Sequence, residues 1–169
     1  MISERMLTAI NEQIKLEFES SYAYIAMEAY FKAKNLDGFA NFFHVQAQEE
    51  RDHAYLLFNY VYSVGGQVVL KDLAAFDPNF KGEVDIFEKT LAHEQLVTRS
   101  INGLMTIAIE EKDYATQNYL QWFVKEQVEE EDTANGLLEK VKMVSGHANG
   151  LFMMDKELAA RAYTPAVMR

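Results

Sequence analysis

The chain has 169 residues, no cysteine, two prolines and a formal net charge of −10. Its length is enough to bury a core without covalent staples. The missing thiols remove disulfides, thiolate metal sites, iron–sulfur clusters and cysteine nucleophiles, and the acidic balance argues against a phosphate-binding surface for nucleic acid. The opening Met1-Ile2-Ser3-Glu4-Arg5 lacks a basic stretch followed by an apolar one, and no apolar run is long enough to span a bilayer. These features predict a cytoplasmic protein with no membrane and no nucleic-acid partner.

Four long stretches carry helical periodicity without internal breakers. The first runs from Ser3, a plausible N-cap, to about Lys34, with Asn35 as a stop. The second begins near Asp37 and ends at Gly65-Gly66. The third starts near Glu83, after Asp77-Pro78 and Gly82, and reaches about Glu111. The fourth follows the short Lys112-Asp113 link and ends before Gly146. A short apolar piece from Leu151 to about Tyr163 precedes Pro165. The pattern predicts one all-α domain over 1–169, a four-helix bundle over about 3–145 with a short fifth helix over about 151–163. Gly103 and Gly136, inside helices, are expected to mark close backbone approaches.

The links constrain how the helices lie. Those joining helices one to two and three to four are so short that each pair must be an antiparallel hairpin. The Gly66–Gly82 segment is long for a hairpin. Near full extension it reaches about 55 Å, against roughly 43 Å for a helix of this length. A crossover along the bundle between helices two and three is predicted.

The helix seams, traced at alternating three- and four-residue steps, hold residues that an ordinary core would not. Helix one reads Ile10, Ile14, Glu17, Ser21, Tyr24, and helix two reads Phe39, Phe43, Gln46, Glu50, His53, Leu57, Tyr60, Val64. Helix three reads Phe87, Leu91, Glu94, Thr98, Ile101, Met105, and helix four reads Leu120, Phe123, Gln127, Glu130, Ala134, Leu137, Val141. Glu17, Glu50, Glu94 and Glu130 fall within roughly 6 Å of one another along the bundle axis. That match holds for a crossover and for a simple up-down arrangement alike. Buried carboxylates without a counter-charge cost on the order of several kcal/mol each, and no Lys or Arg lies in the central seams. A pair of divalent cations would balance the four. Glu50 and His53 at i, i+3 supply the carboxylate–imidazole element of a helical-bundle di-metal site. Oxygen and nitrogen donors without sulfur suit iron or manganese, with zinc a competitor. Any one of these residues alone reads as a flank acid or a satisfied core histidine; the coincidence on four helices carries the metal reading.

With these residues in hand, the chain resembles the bacterial non-haem ferritins over essentially its whole length. The matching positions are Glu17 and Tyr24, then Glu49, Glu50 and His53, then Glu94, then Trp122, Glu126, Gln127, Glu129 and Glu130. The resemblance implies a ferritin-like bundle that oxidises Fe(II) with O2 or H2O2 at a di-iron site inside each subunit. It also implies a hollow shell of 24 subunits with octahedral symmetry that stores ferric oxyhydroxide mineral. By resemblance, one iron takes Glu17, Glu50 and His53, and the other takes Glu50, Glu94 and Glu130. Gln127-Val128-Glu129-Glu130 stands where a second Glu-x-x-His would complete a symmetric site, so Gln127 replaces a bridging carboxylate and the second iron is held more weakly. A third, outer iron site would use Glu49, Glu126 and Glu129 and share Glu130. Tyr24 reads equally as a core aromatic and as a partner or electron donor to the centre, and Trp122 reads more as packing.

The resemblance also sets exclusions and assembly roles. A methionine where this chain has Asp52 would mark the haem-binding branch, so haem is not expected. His44, His93 and His147 lie off the seams and read as surface or interface residues, with His93 next to Glu94. The fifth helix is too short to stand alone, and by resemblance its partner surface is the four-fold axis of the shell. A rubrerythrin-like peroxidase, which carries a cysteine-ligated iron, does not fit a chain without cysteine. An acidic adaptor bundle gives no reason for carboxylates in all four seams.

Overall fold

The computed structural model describes residues 2–74 and 76–167; Met1, Ala75, Met168 and Arg169 lie outside the described residues. Five helices follow one another: α1 (Glu4–Ala33), α2 (Asp37–Ser63), α3 (Glu83–Glu110), α4 (Tyr114–Val144) and α5 (Ala148–Leu158). Ser3 caps α1 by accepting from the Met6 amide, and Asp113 caps α4 by accepting from the Thr116 amide at 3.0 Å. The tight hairpins turn on residues in the left-handed region, Asn35 (φ 58°) and Lys112 (φ 56°).

The ends of the helices decide the topology. Ser3 at the start of α1 donates to Glu111 just past the end of α3, and Lys34 just past α1 pairs with Glu83 at the start of α3. Helix α1 is therefore antiparallel to α3 and, through its hairpin, to α2. Helices α2 and α3 are then parallel, and the chain between them must run the length of the bundle. It does so along α1. Asn11 holds both the Gln67 carbonyl and the Val69 amide, Glu19 accepts from the Ala74 amide, and Phe80 packs on Tyr30. The crossover is thus tied down at intervals by α1 side chains.

Two apolar clusters fill the bundle, one at each end. One is aromatic, with Phe31, Phe39, Phe42, Phe43 and Phe87 around Met27, Ile86 and Val141. The other is largely aliphatic, with Met6, Ile10, Ile14, Leu57, Ile101, Leu104 and Leu120. Between them lies a buried polar layer. In the fourth seam the buried position is Leu138, with Leu137 only partly covered.

Helix α5 differs from expectation in its limits. It starts before Leu151 and stops at Leu158, because Asn41 of α2 takes the Leu158 and Arg161 carbonyls and turns the chain away. It docks on its own subunit, where Met154 and Leu158 join the aromatic cluster. The Asp155 carboxylate accepts from the Gly38 and Phe39 amides at 2.8 and 3.0 Å, capping α2, whose own N-cap Leu36 has no side-chain acceptor. Gly38 permits this contact, since a Cβ there would lie 1.6 Å from the Asp155 carbonyl oxygen. Among the described residues nothing comes close to Gly103 or Gly136, where close approaches were expected; a Cβ at either would meet no atom within 4 Å. Among the described residues no helix is long and apolar enough to cross a membrane.

Candidate metal centre

The polar layer is built by helical register. Turns of α1, α2, α3 and α4 at mid-bundle present Glu17, Glu50 with His53, Glu94, and Gln127 with Glu130 to the interior. All are buried, Glu130 being the most exposed at 8%. Glu17, Glu50 and His53 each offer a donor atom within 4.8 Å of the others. His53 Nδ1 lies 3.5 Å from a Glu50 carboxylate oxygen. Glu17 Oε2 is buried without a hydrogen-bond partner among the described residues. Such an atom costs free energy unless something binds it, and carboxylate plus imidazole is the donor set of an iron, manganese or zinc site.

Glu94 and Glu130 stand beside this triad and are held by other side chains. Tyr24, fully buried, donates to Glu94, so it is both a core aromatic and a partner of the centre. The Gln127 amide lies 3.4 Å from the Glu94 carboxylate and 3.3 Å from the Glu94 carbonyl. Gln46 donates to Glu130 at 2.8 Å and faces Glu50 at 3.4 Å, while Gln13 donates to Glu17 at 2.8 Å. Gln13 and Gln46 each precede a central carboxylate by four residues, a spacing that stacks them on one helix face. That spacing was a readable signal for their role as orienting residues.

Burial and crowding favour the protonated form of these acids. Burial pushes Glu17 up to about 8, aided by the neighbouring Glu50 and opposed by His53. Burial and then Glu94 raise Glu130 to about 7. Glu50 is driven well above the ordinary range by burial and by Glu94 and Glu130. Glu94 is raised mainly by burial, with the Tyr24 hydroxyl pulling the other way. A cation entering this layer would displace protons and replace them as the counter-charge.

The three outer acids are not gathered around one point. Glu49 pairs with Arg161 at 2.5 Å, and the exposed Glu129 sits 3.6 Å from Lys125. Glu126 is half-buried; burial raises the pKa of Glu49, Arg161 opposes the rise and Glu126 adds to it. Arg161 is the cation that the seam pattern could not reveal, since it reaches Glu49 from the segment after α5. Asp52 is likewise engaged by that segment, accepting from Tyr163 and the Ala166 amide.

The aromatic and histidine neighbours resolve as follows. Trp122 is half-buried edge-on to His53, with ring centroids 5.4 Å apart. His93 is partly buried: its Nε2 lies 2.7 Å from Ser20 Oγ, its ring meets Tyr24 edge-on, and burial lowers its pKa. His44 is exposed beside Glu28, and the exposed His147 precedes α5.

A crossover four-helix bundle with carboxylates and an imidazole buried at its waist defines a helical metal-binding protein of the ferritin-like class. The ferritin-like domain pattern matches residues 7–144. A bacterial non-heme ferritin of Campylobacter jejuni is 39% identical over 156 residues, spanning 92% of this chain and 93% of its own. Its counterpart in Staphylococcus epidermidis is 38% identical over 163 residues, spanning 96% and 98%. An open pore ferritin from the hyperthermophilic archaeon Archaeoglobus fulgidus, 41% identical, superposes with a TM-score of 0.94 over 96% of this chain and 99% of its own. The chain belongs to the ferritin family.

Proposed function

We propose that this protein is a ferroxidase and iron store: it takes up Fe(II), oxidises it at the bundle waist and retains the ferric product inside an assembly of its own copies. The observation that carries the reading is the buried Glu17–Glu50–His53 cluster with its unpartnered Glu17 oxygen. Glu17, Glu50 and His53 hold one substrate Fe(II); Glu50, Glu94 and Glu130 hold the second. Each Fe(II) gives one electron, and the pair reduces O2 to H2O2 with uptake of two protons, or H2O2 to water. Gln127 contributes a neutral amide where a carboxylate would bind more tightly, so the second iron leaves more readily once oxidised. Tyr24 keeps Glu94 oriented between turnovers. Glu49, Glu126 and Glu129 serve as an outer stopping point for departing iron, reached once Glu49 exchanges its Arg161 partner.

One ferritin-like domain over 1–169, working in the cytoplasm, forms the subunit, and 24 copies with octahedral symmetry form the shell. Coverage of 98% of the Staphylococcus epidermidis ferritin supports the single domain, and Phe152 and Met153, which α5 leaves exposed, offer a neighbouring copy an apolar contact. Glu50→Ala and His53→Ala should abolish rapid oxidation of added Fe(II), followed by stopped-flow absorbance under air. Both should still elute at about half a megadalton, as closed assemblies of a 19.4 kDa subunit do. Parent-rate oxidation in both variants would remove the site from the reaction.

A further inference from the structure

Beyond α5 the chain runs as a strap along one face of α2. Asn41 accepts it first by donating to the Arg161 carbonyl at 2.9 Å, and Asp52 holds its far end, accepting from the Tyr163 hydroxyl at 2.5 Å and the Ala166 amide at 3.1 Å. Between these anchors the Arg161 guanidinium lies over the Phe42 ring, 4.4 Å from its centroid. Its Nη2 donates to Glu49 at 2.5 Å and its Nη1 donates to Gln46 Oε1 at 2.9 Å. The other end of the Gln46 amide is the group that donates to Glu130 and faces Glu50. A guanidinium can only donate, so it fixes the Gln46 carbonyl outward and the NH2 inward. One side chain thus touches both the outer carboxylate and, through an amide, two carboxylates of the waist.

We infer that Arg161 is a tethered cation that competes with a divalent cation for Glu49 and, through Gln46, acts as a positioning residue for Glu130. The inference rests on the ferroxidase reading for its biological meaning. A metal ion reaching Glu49 must displace the guanidinium, and that displacement frees the Gln46 carbonyl and loosens the hold on Glu130. Arrival at the outer position is thereby coupled to the grip on the second iron. The strap need not leave α2 altogether, since its anchors at Asn41 and Asp52 are separate from the exchange.

The test is a zinc titration of the metal-free full chain by calorimetry, so that no oxidation enters the measurement. Arg161→Gln should bind an additional Zn(II) per subunit about tenfold more tightly than the parent, the equivalent of about 1.4 kcal/mol. The gain should vanish in Arg161→Gln/Glu49→Gln, and Arg161→Lys, which keeps the charge but not the two-pronged contact, should fall between the parent and Arg161→Gln. A stability role alone would shift the melting temperature and leave the zinc isotherm unmoved. Superimposable isotherms for the parent and Arg161→Gln, or a gain that survives Glu49→Gln, would overturn the inference. Failure of the ferroxidase reading shows separately, as parent-rate iron oxidation in the Glu50→Ala and His53→Ala variants.

Discussion

Replacing Glu17 with glutamine should make the metal-free protein more stable at neutral pH, although it removes a ligand. The folded carboxyl stays protonated up to about pH 8, against an ordinary value of 4.5. Between those two values the unfolded chain has released its proton and the folded chain has kept it. Folded Glu17 therefore binds more protons than unfolded Glu17, and stability falls as pH rises through this window. Its favourable contribution is complete below pH 4.5 and lost by about pH 8. At pH 7 the handicap is about 3 kcal/mol, from roughly 1.4 kcal/mol per pH unit. Glutamine has no proton to lose. Its carbonyl can still accept from Gln13, and its NH2 can donate toward Glu50. The metal-free variant should exceed the parent by about 3 kcal/mol at pH 7 and converge with it near pH 4.5. The slope should flatten without vanishing, because Glu50, Glu94 and Glu130 are raised as well. Calorimetric unfolding in chelator at pH 5, 7 and 8 makes the comparison, and added Zn(II) should reverse the ranking at pH 7. Parallel pH profiles for parent and variant would refute the assignment of Glu17 as a charge-starved buried acid.

Two other outcomes follow from the packing around the site. Trp122 is the chain's single tryptophan and stands edge-on to His53, so anaerobic Fe(II) or Co(II) should strongly quench its fluorescence. That quenching should be lost in His53→Ala; undiminished quenching in the variant would place the bound cation elsewhere. Gly38→Ala should destabilise the protein by about 2–4 kcal/mol despite alanine's better helix propensity, because α5 must withdraw its cap and the buried Met154 and Leu158. Thermal unfolding together with hydrogen exchange over Ala148–Leu158 checks this, and equal or higher stability would show that α5 is not held there.

The four long helices, their limits and the waist carboxylates were legible because they are properties of register. A 3.6-residue period, an N-cap at Ser3 and a stop at Asn35 each act within a few residues. A Glu in an apolar seam therefore announces its own burial. The sequence by itself determined the helical class, the buried acids Glu17, Glu50, Glu94 and Glu130, and the pairing of Glu50 with His53. What depended on residues far apart in the chain was left to the tertiary structure. Axial level matched for either topology; the length of the Gly66–Gly82 link pointed to the crossover, and the contacts Ser3–Glu111 and Lys34–Glu83 at opposite ends of α1 establish it. No periodicity reports that Asp155 will cap a helix starting at Asp37, or that Gly38 rather than Gly103 or Gly136 carries the close approach. Nor does any pattern bring Arg161 to Glu49. The central seams hold no Lys or Arg, and the cation arrives from outside them. Local geometry is written in neighbouring residues, whereas the partner of a side chain across the bundle is chosen by how whole helices dock, and that choice is set by the summed burial of both apolar clusters.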